Sequence, residues 1–133
     1  LKQLIHFQLN SILWGAVILL LCGLGGNQFP SFTWDFSLSF DKIIHISFYS
    51  VLTLLITVGY YKQHIHSPRR KKAWLVALLV GIIYGIVVEW LQANVFFERS
   101  ADFMDMIANT EGSIWGVGLF YLIYGKAAIV QQK

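Results

Sequence analysis

Asp41, His45 and Tyr49 recur every four residues, Glu89 and Gln92 stand three apart, and Asp102, Asp105 and Asn109 step by three and then four. On an α-helix those spacings bring side chains onto one face, so three separate stretches of the chain each carry a polar stripe. Carboxylates, an imidazole and carboxamides together can accept or deliver protons, bond a polar ligand, or hold a hard cation. Lys42 and Arg99 stand beside the stripes as the cations that would meet an anion.

The stripes are embedded in apolar sequence. Four apolar runs, Leu9 to Gly25, Ile43 to Tyr61, Ala73 to Leu91 and Met106 to Tyr124, each approach the ~20 residues a helix needs to cross the hydrocarbon of a bilayer. With 56% apolar and 13% charged residues, the composition is that of a membrane protein rather than a soluble domain. The expected fold is all-α, an integral membrane four-helix bundle. No repeat, low-complexity tract or long linker divides residues 1–133, which read as a single domain. The first run is kept as a true helix. Lys2 and Cys22 give it the look of a lipoprotein leader, but a large residue, Leu21, stands where cleavage needs a small one.

Charge gives the orientation. All seven acidic residues, with Lys42 and Arg99, fall at one end of the four runs, while Lys2, Lys62, Arg69, Arg70, Lys71, Lys72, Lys126 and Lys133 fall at the other. By the positive-inside rule the basic end, and with it both termini, is cytoplasmic. The net charge of +3 resides in a short loop and the termini, where it faces an anionic inner leaflet, so nucleic acid is not an expected partner. The single cysteine, Cys22, has no partner for a disulfide or a thiolate metal site and reads as a packing residue.

Because the second run enters at Asp41, the third leaves past Gln92 and the fourth re-enters near Asp105, all three polar ends share the extracytoplasmic side. At about 1.5 Å per residue, His45, Glu89 and Asn109 lie level with one another, roughly one turn below the surface. The expectation is a polar pocket at the extracytoplasmic end, roofed by the loop carrying Arg99 and Asp102. Asp41 is also placed to cap its helix. Phe32, Trp34, Phe36, Leu38 and Phe40 alternate with polar residues, the period of an extended segment lying at the interface. Glycines four apart, Gly81 with Gly85 and Gly112 with Gly116, permit close helix approach, either within the chain or in a homo-oligomer.

The series Asp41-Lys42-x-x-His45-x-x-x-Tyr49, Glu89-x-x-Gln92 and Arg99-x-x-Asp102-x-x-Asp105-x-x-x-Asn109-x-x-Gly112-x-x-x-Gly116 resembles the VanZ-like membrane proteins over about residues 41 to 116. Glu111 departs from the pattern, in which that position is more usually apolar. The resemblance implies a bacterial cell-envelope setting, in the cytoplasmic (inner) membrane, and a link to resistance against the glycopeptide teicoplanin. It implies no particular reaction or cofactor.

Three readings of the stripes follow. In the first, Asp41, Lys42, His45, Tyr49, Glu89, Gln92, Arg99, Asp102, Asp105 and Asn109 bind an anionic amphiphile: a membrane lipid, a cell-wall precursor or a lipoglycopeptide. In the second, His45 or Glu89 acts as general base with Asp41 orienting the imidazole, in a membrane-embedded hydrolase or transferase of envelope lipids. No resident metal is assigned, although a metal-dependent form would draw on His45, Asp41, Glu89 and Asp105. In the third, the polar network only ties helices together in a structural or regulatory partner of a larger complex.

Overall fold

The computed structural model describes residues 2–23, 37–96 and 102–130, with side chains described over 2–23, 41–96 and 102–125. These form four α-helices: α1 Lys2–Gly23, α2 Ser37–Gln63, α3 Ala73–Asn94 and α4 Phe103–Val130, with a short 3-10 turn over Pro68–Lys72 between α2 and α3. There is no strand among the described residues. The all-α bundle expected from the apolar runs is what the chain adopts.

The helices begin and end where local chemistry dictates. Pro68 sits at the start of the 3-10 turn and Ser67 caps it, its hydroxyl accepting from the Arg69 N–H at 3.3 Å. Arg70 donates to the Ile65 carbonyl at 2.7 Å, pinning the basic hairpin. At the other end of the bundle, α2 starts four residues earlier than the period-two pattern suggested. Ser37 to Phe40 are its first turn rather than part of an extended segment, and a lone extended segment would have no ladder partner to satisfy its backbone. Asp41 therefore lies inside α2 and does not cap it. The remainder of that aromatic segment lies outside the described residues.

Helices α1, α2 and α3 contain segments long and apolar enough to cross a membrane: Lys2–Gly23, Asp41–Gln63 and, with the 3-10 turn, Pro68–Asn94. Helix α4 has the length but is interrupted by Asn109, Thr110, Glu111 and Ser113. It packs along α2 more extensively than any other pair of elements; Asn109 bonds across to α2 and α3, whereas Thr110 and Ser113 bond back to carbonyls of their own helix and Glu111 is exposed.

The closeness of that pairing comes from glycine. A Cβ at Gly112 would collide with the backbone of Ile46, and one at Gly116 with Thr53 Oγ1 and the Ser50 carbonyl. The removed side chains let hydroxyls bridge the helices: Ser50 Oγ donates to the Gly112 carbonyl at 2.9 Å and Thr53 Oγ1 lies 3.1 Å from the Ser113 carbonyl. Gly81 and Gly85 of α3 are likewise covered, by Thr53 and Ser113 and by Asn109 and Tyr49. All four glycines that left intrachain and interchain packing open are thus buried within one chain. A homo-oligomer would have to use other faces.

Helix α1 is attached through polar hooks. Trp14 Nε1 donates to the Phe48 carbonyl at 3.0 Å and Gln8 Nε2 to the Ile56 carbonyl at 3.4 Å. From α3, Tyr84 OH donates to the Gly15 carbonyl at 2.6 Å and Gln92 Nε2 to the Cys22 carbonyl at 3.3 Å. Between the hooks lies the apolar core of Ile18, Cys22, Tyr49, Leu52, Ile56, Ala77 and Val88. Much of the outer surface, including Leu20, Ile83, Ile114 and Leu122, is exposed and apolar, as expected of a bundle solvated by lipid chains rather than water.

Candidate functional site

At the acidic end, three helices deliver ionisable and amide groups to one place. His45 projects from α2 and Glu89 from α3, while Asp105 and Asn109 come from α4; all four are buried. Asn109 joins the helices. Its Oδ1 lies 2.8 Å from His45 Nδ1, and its Nδ2 donates to Glu89 Oε1 at 3.5 Å. Since an amide oxygen can only accept, Nδ1 carries the proton and donates. The other carboxylate oxygen of Glu89 accepts the backbone N–H of Asp102 at 3.3 Å.

A second branch is ionic. Lys42 Nζ donates to Asp105 Oδ1 at 3.0 Å and reaches Asp102 Oδ2 at 3.4 Å. The Met104 backbone N–H, bonded to Asp102 Oδ1 at 2.8 Å, and the nearby Lys42 ammonium hold the Asp102 carboxyl below its ordinary range. That bond also starts α4, since an aspartate preceding a helix satisfies one of its unpaired N–H groups. The remaining Asp105 oxygen, Oδ2, faces His45 Nε2 at 3.9 Å. Asp41, one turn before His45 and exposed, places its carboxylate so that ligand atoms of Asp41, His45 and Asp105 all lie within 4.8 Å of one another.

Of the residues that the spacing singled out, Asp41, Lys42, His45, Glu89, Asp102, Asp105 and Asn109 are brought together. Arg99 lies outside the described residues. Tyr49 and Gln92 are buried and make no hydrogen bond to this cluster among the described residues: Gln92 ties α3 to α1, and the Tyr49 hydroxyl has no hydrogen-bond partner. The imidazole is oriented by Asn109, where the sequence suggested Asp41. Glu111 is exposed on α4, while Gly112 and Gly116 make the close contact with α2, so this departure from the family pattern leaves the helix pairing intact.

Two contributors escaped the sequence reading. The Asp102 backbone N–H is a donor that no side-chain type reveals. The hydroxyls of Ser50, Thr53, Thr57 and Ser113, all buried, extend the polar seam below the site. The three- and four-residue spacing of Ser50, Thr53 and Thr57 along α2, and the step of four from Asn109 to Ser113 on α4, were the available signal.

The fold and site together define a membrane-type helical bundle with a buried His–Asn–Glu relay at one end. The family model described as VanZ/LLP1 matches residues 2–124. The chain belongs to this family and is a membrane protein. No curated protein and no solved structure gives a significant match to it.

Proposed function

We propose that this is a multi-pass protein of the bacterial cytoplasmic membrane whose extracytoplasmic polar site binds the headgroup of an amphiphile, namely an anionic lipid, a cell-wall precursor or a lipoglycopeptide such as teicoplanin. The observation that carries the reading is the Asn109 relay, in which one carboxamide bridges His45 and Glu89 across three helices. Helix docking alone does not call for an imidazole and a carboxylate at the same depth, because ionisable groups in a membrane span are costly. The termini and the Arg69–Lys72 hairpin are cytoplasmic by the charge split, which puts the site at the outer leaflet.

Charge defines what the headgroup must offer. Asp41, Glu89, Asp102 and Asp105 outnumber Lys42, so hydroxyl and amine donors of a sugar or peptide headgroup suit the carboxylates, while its anion meets Lys42 and Arg99. Hydrolysis is the second reading. It is favoured by one feature, an imidazole whose Nδ1 is held by Asn109 and whose Nε2 faces a carboxylate without a hydrogen bond, the posture of a general base.

The test is binding in nanodiscs, with phosphatidylglycerol, undecaprenyl phosphate and teicoplanin as probes. Asn109→Ala and Lys42→Gln should weaken binding of at least one probe. Equal binding by wild type and both variants overturns the reading. Orientation is checked by cysteine labelling of intact cells in a Cys22→Ser background, with probes at positions 34, 71 and 99. Modification at 34 and 99 is expected, and modification at 71 from outside would reverse the topology.

A further inference from the structure

We infer that Asp41, His45 and Asp105 form a binding site for a first-row divalent cation, of the Zn²⁺ or Mn²⁺ kind, at the mouth of the polar cluster. Three observations converge on it. The first is ligand placement. Asp41 and His45 lie one helical turn apart on α2, and Asp105 approaches from α4, so that one donor atom of each falls within 4.8 Å of the others. Around an ion with bonds of about 2.1 Å, ligand atoms lie about 3 Å apart when adjacent and about 4.2 Å apart when opposite. The 3.9 Å between His45 Nε2 and Asp105 Oδ2 lies between those two values, so a shift of roughly a few tenths of an ångström would seat an ion there. It is too long for a hydrogen bond. Asp41 is exposed, so its carboxylate can rotate toward the other two ligands.

The second observation is the state of His45. Its side chain is only 8% exposed, yet Nε2 has no hydrogen-bond partner among the described residues. Its Nδ1 donates to Asn109 Oδ1 at 2.8 Å, so Nε2, which faces the Asp105 carboxylate, is the ring nitrogen left to meet an ion. At 3.9 Å the two groups make no direct hydrogen bond, and a cation held between them would bond both. Metal-bound histidines characteristically donate their second ring nitrogen to an oxygen acceptor that fixes the tautomer, and Asn109 does this here. The third is the division of labour at Asp105. Lys42 occupies Oδ1 at 3.0 Å, and Oδ2 is the oxygen turned toward His45.

The ligand chemistry selects the ion. One imidazole with two carboxylates suits Zn²⁺ or Mn²⁺ better than Mg²⁺ or Ca²⁺, which prefer oxygen alone. Two carboxylates match the double charge. With three protein ligands and an exposed Asp41 side, the ion keeps coordination positions open to an external oxygen. This deepens the headgroup-binding reading, since a cation there would draw a phosphate or carboxylate into an otherwise acidic site. It stands or falls separately from it.

The experiment uses the full chain purified in detergent with a tag lacking histidine and stripped with EDTA. Mn²⁺ is titrated by electron paramagnetic resonance, in which bound ion loses the free six-line signal, and Zn²⁺ is used in competition. Saturation at one equivalent is expected, with displacement by Zn²⁺. Asp41→Asn, an exposed substitution that leaves the metal-free melting temperature unchanged, should abolish that binding. Asn109→Ala should weaken it by about 10-fold or more. A His64→Ala/His66→Ala variant should bind as wild type does. Absence of stoichiometric binding, undiminished binding by Asp41→Asn, or loss of binding in the His64/His66 variant would each overturn the site. Amphiphile binding measured in EDTA is the separate arm: its survival without a metal site leaves the proposed function standing, and its failure alongside intact metal binding removes only that function.

Discussion

Glu89→Gln separates a working site from a scaffold, and the hydrogen-bond geometry sets the scale of the effect. Glu89 is fully buried, with Oε1 facing the Asn109 Nδ2 donor at 3.5 Å and Oε2 facing the Asp102 N–H at 3.3 Å. Both partners donate, so both Glu89 atoms must accept, as only a carboxylate can do twice. A glutamine offers one oxygen and one NH₂. Its oxygen can stay on Asn109 while its NH₂ opposes the Asp102 N–H. Asp102 is exposed, so water can take over that donor. The net loss is then one long hydrogen bond, about 1 kcal/mol. Glu89→Ala loses both acceptors and leaves a void, for about 2 to 4 kcal/mol. Unfolding of both variants in detergent tests this ordering.

The functional outcome is worked from the same numbers. If the carboxylate serves a ligand, Glu89→Gln should remain folded yet lose at least about tenfold in amphiphile affinity, since each 1.4 kcal/mol of lost interaction is a factor of ten, and cells should lose any glycopeptide phenotype. If the network is only glue, binding and susceptibility should follow stability, with Glu89→Gln close to wild type and Glu89→Ala impaired. Full activity in Glu89→Gln refutes the charged site.

Other residues make independent demands. Gly116→Ala should destabilise the bundle by about 1 to 3 kcal/mol through collision with Thr53 and Ser50, whereas Gly118→Ala, with nothing within 4 Å, should be neutral or gain up to about 1 kcal/mol from helix propensity; equal melting temperatures would show that the α2–α4 contact is looser than described. Tyr84→Phe removes the bond to the Gly15 carbonyl and should cost about 1 kcal/mol. Tyr49→Phe deletes a buried hydroxyl that has no partner among the described residues and should leave thermal stability unchanged or raised, so a clear drop would assign that hydroxyl a partner.

The site was legible to the extent that helix periodicity and charge polarity determine it. His45, Glu89 and Asn109 could be placed at one end and one depth, with Asp41 and Asp105 a turn nearer that end, because apolar runs fix which ends of the helices coincide and an i, i+4 spacing fixes the face. Rotation about each helix axis was not available from spacing alone. It is decided by which small residues let helices touch, and here Gly112 and Gly116 press α4 onto Ile46 and Ser50, which turns Asn109 toward both His45 and Glu89. On α3, Gly81 and Gly85 lie against Thr53, Ser113, Asn109 and Tyr49, Gln92 lies on the α1 side, where its amide holds the Cys22 carbonyl, and Tyr49 is buried in the core. Helix α4 illustrates the limit most clearly. Its Asn109, Thr110 and Glu111 interrupt the apolar pattern, and only the close approach to α2 explains how the buried Asn109 is satisfied while Glu111 stays exposed. Spacing thus selected a set of residues, and the glycine contacts divided that set between a site and the joints that hold it.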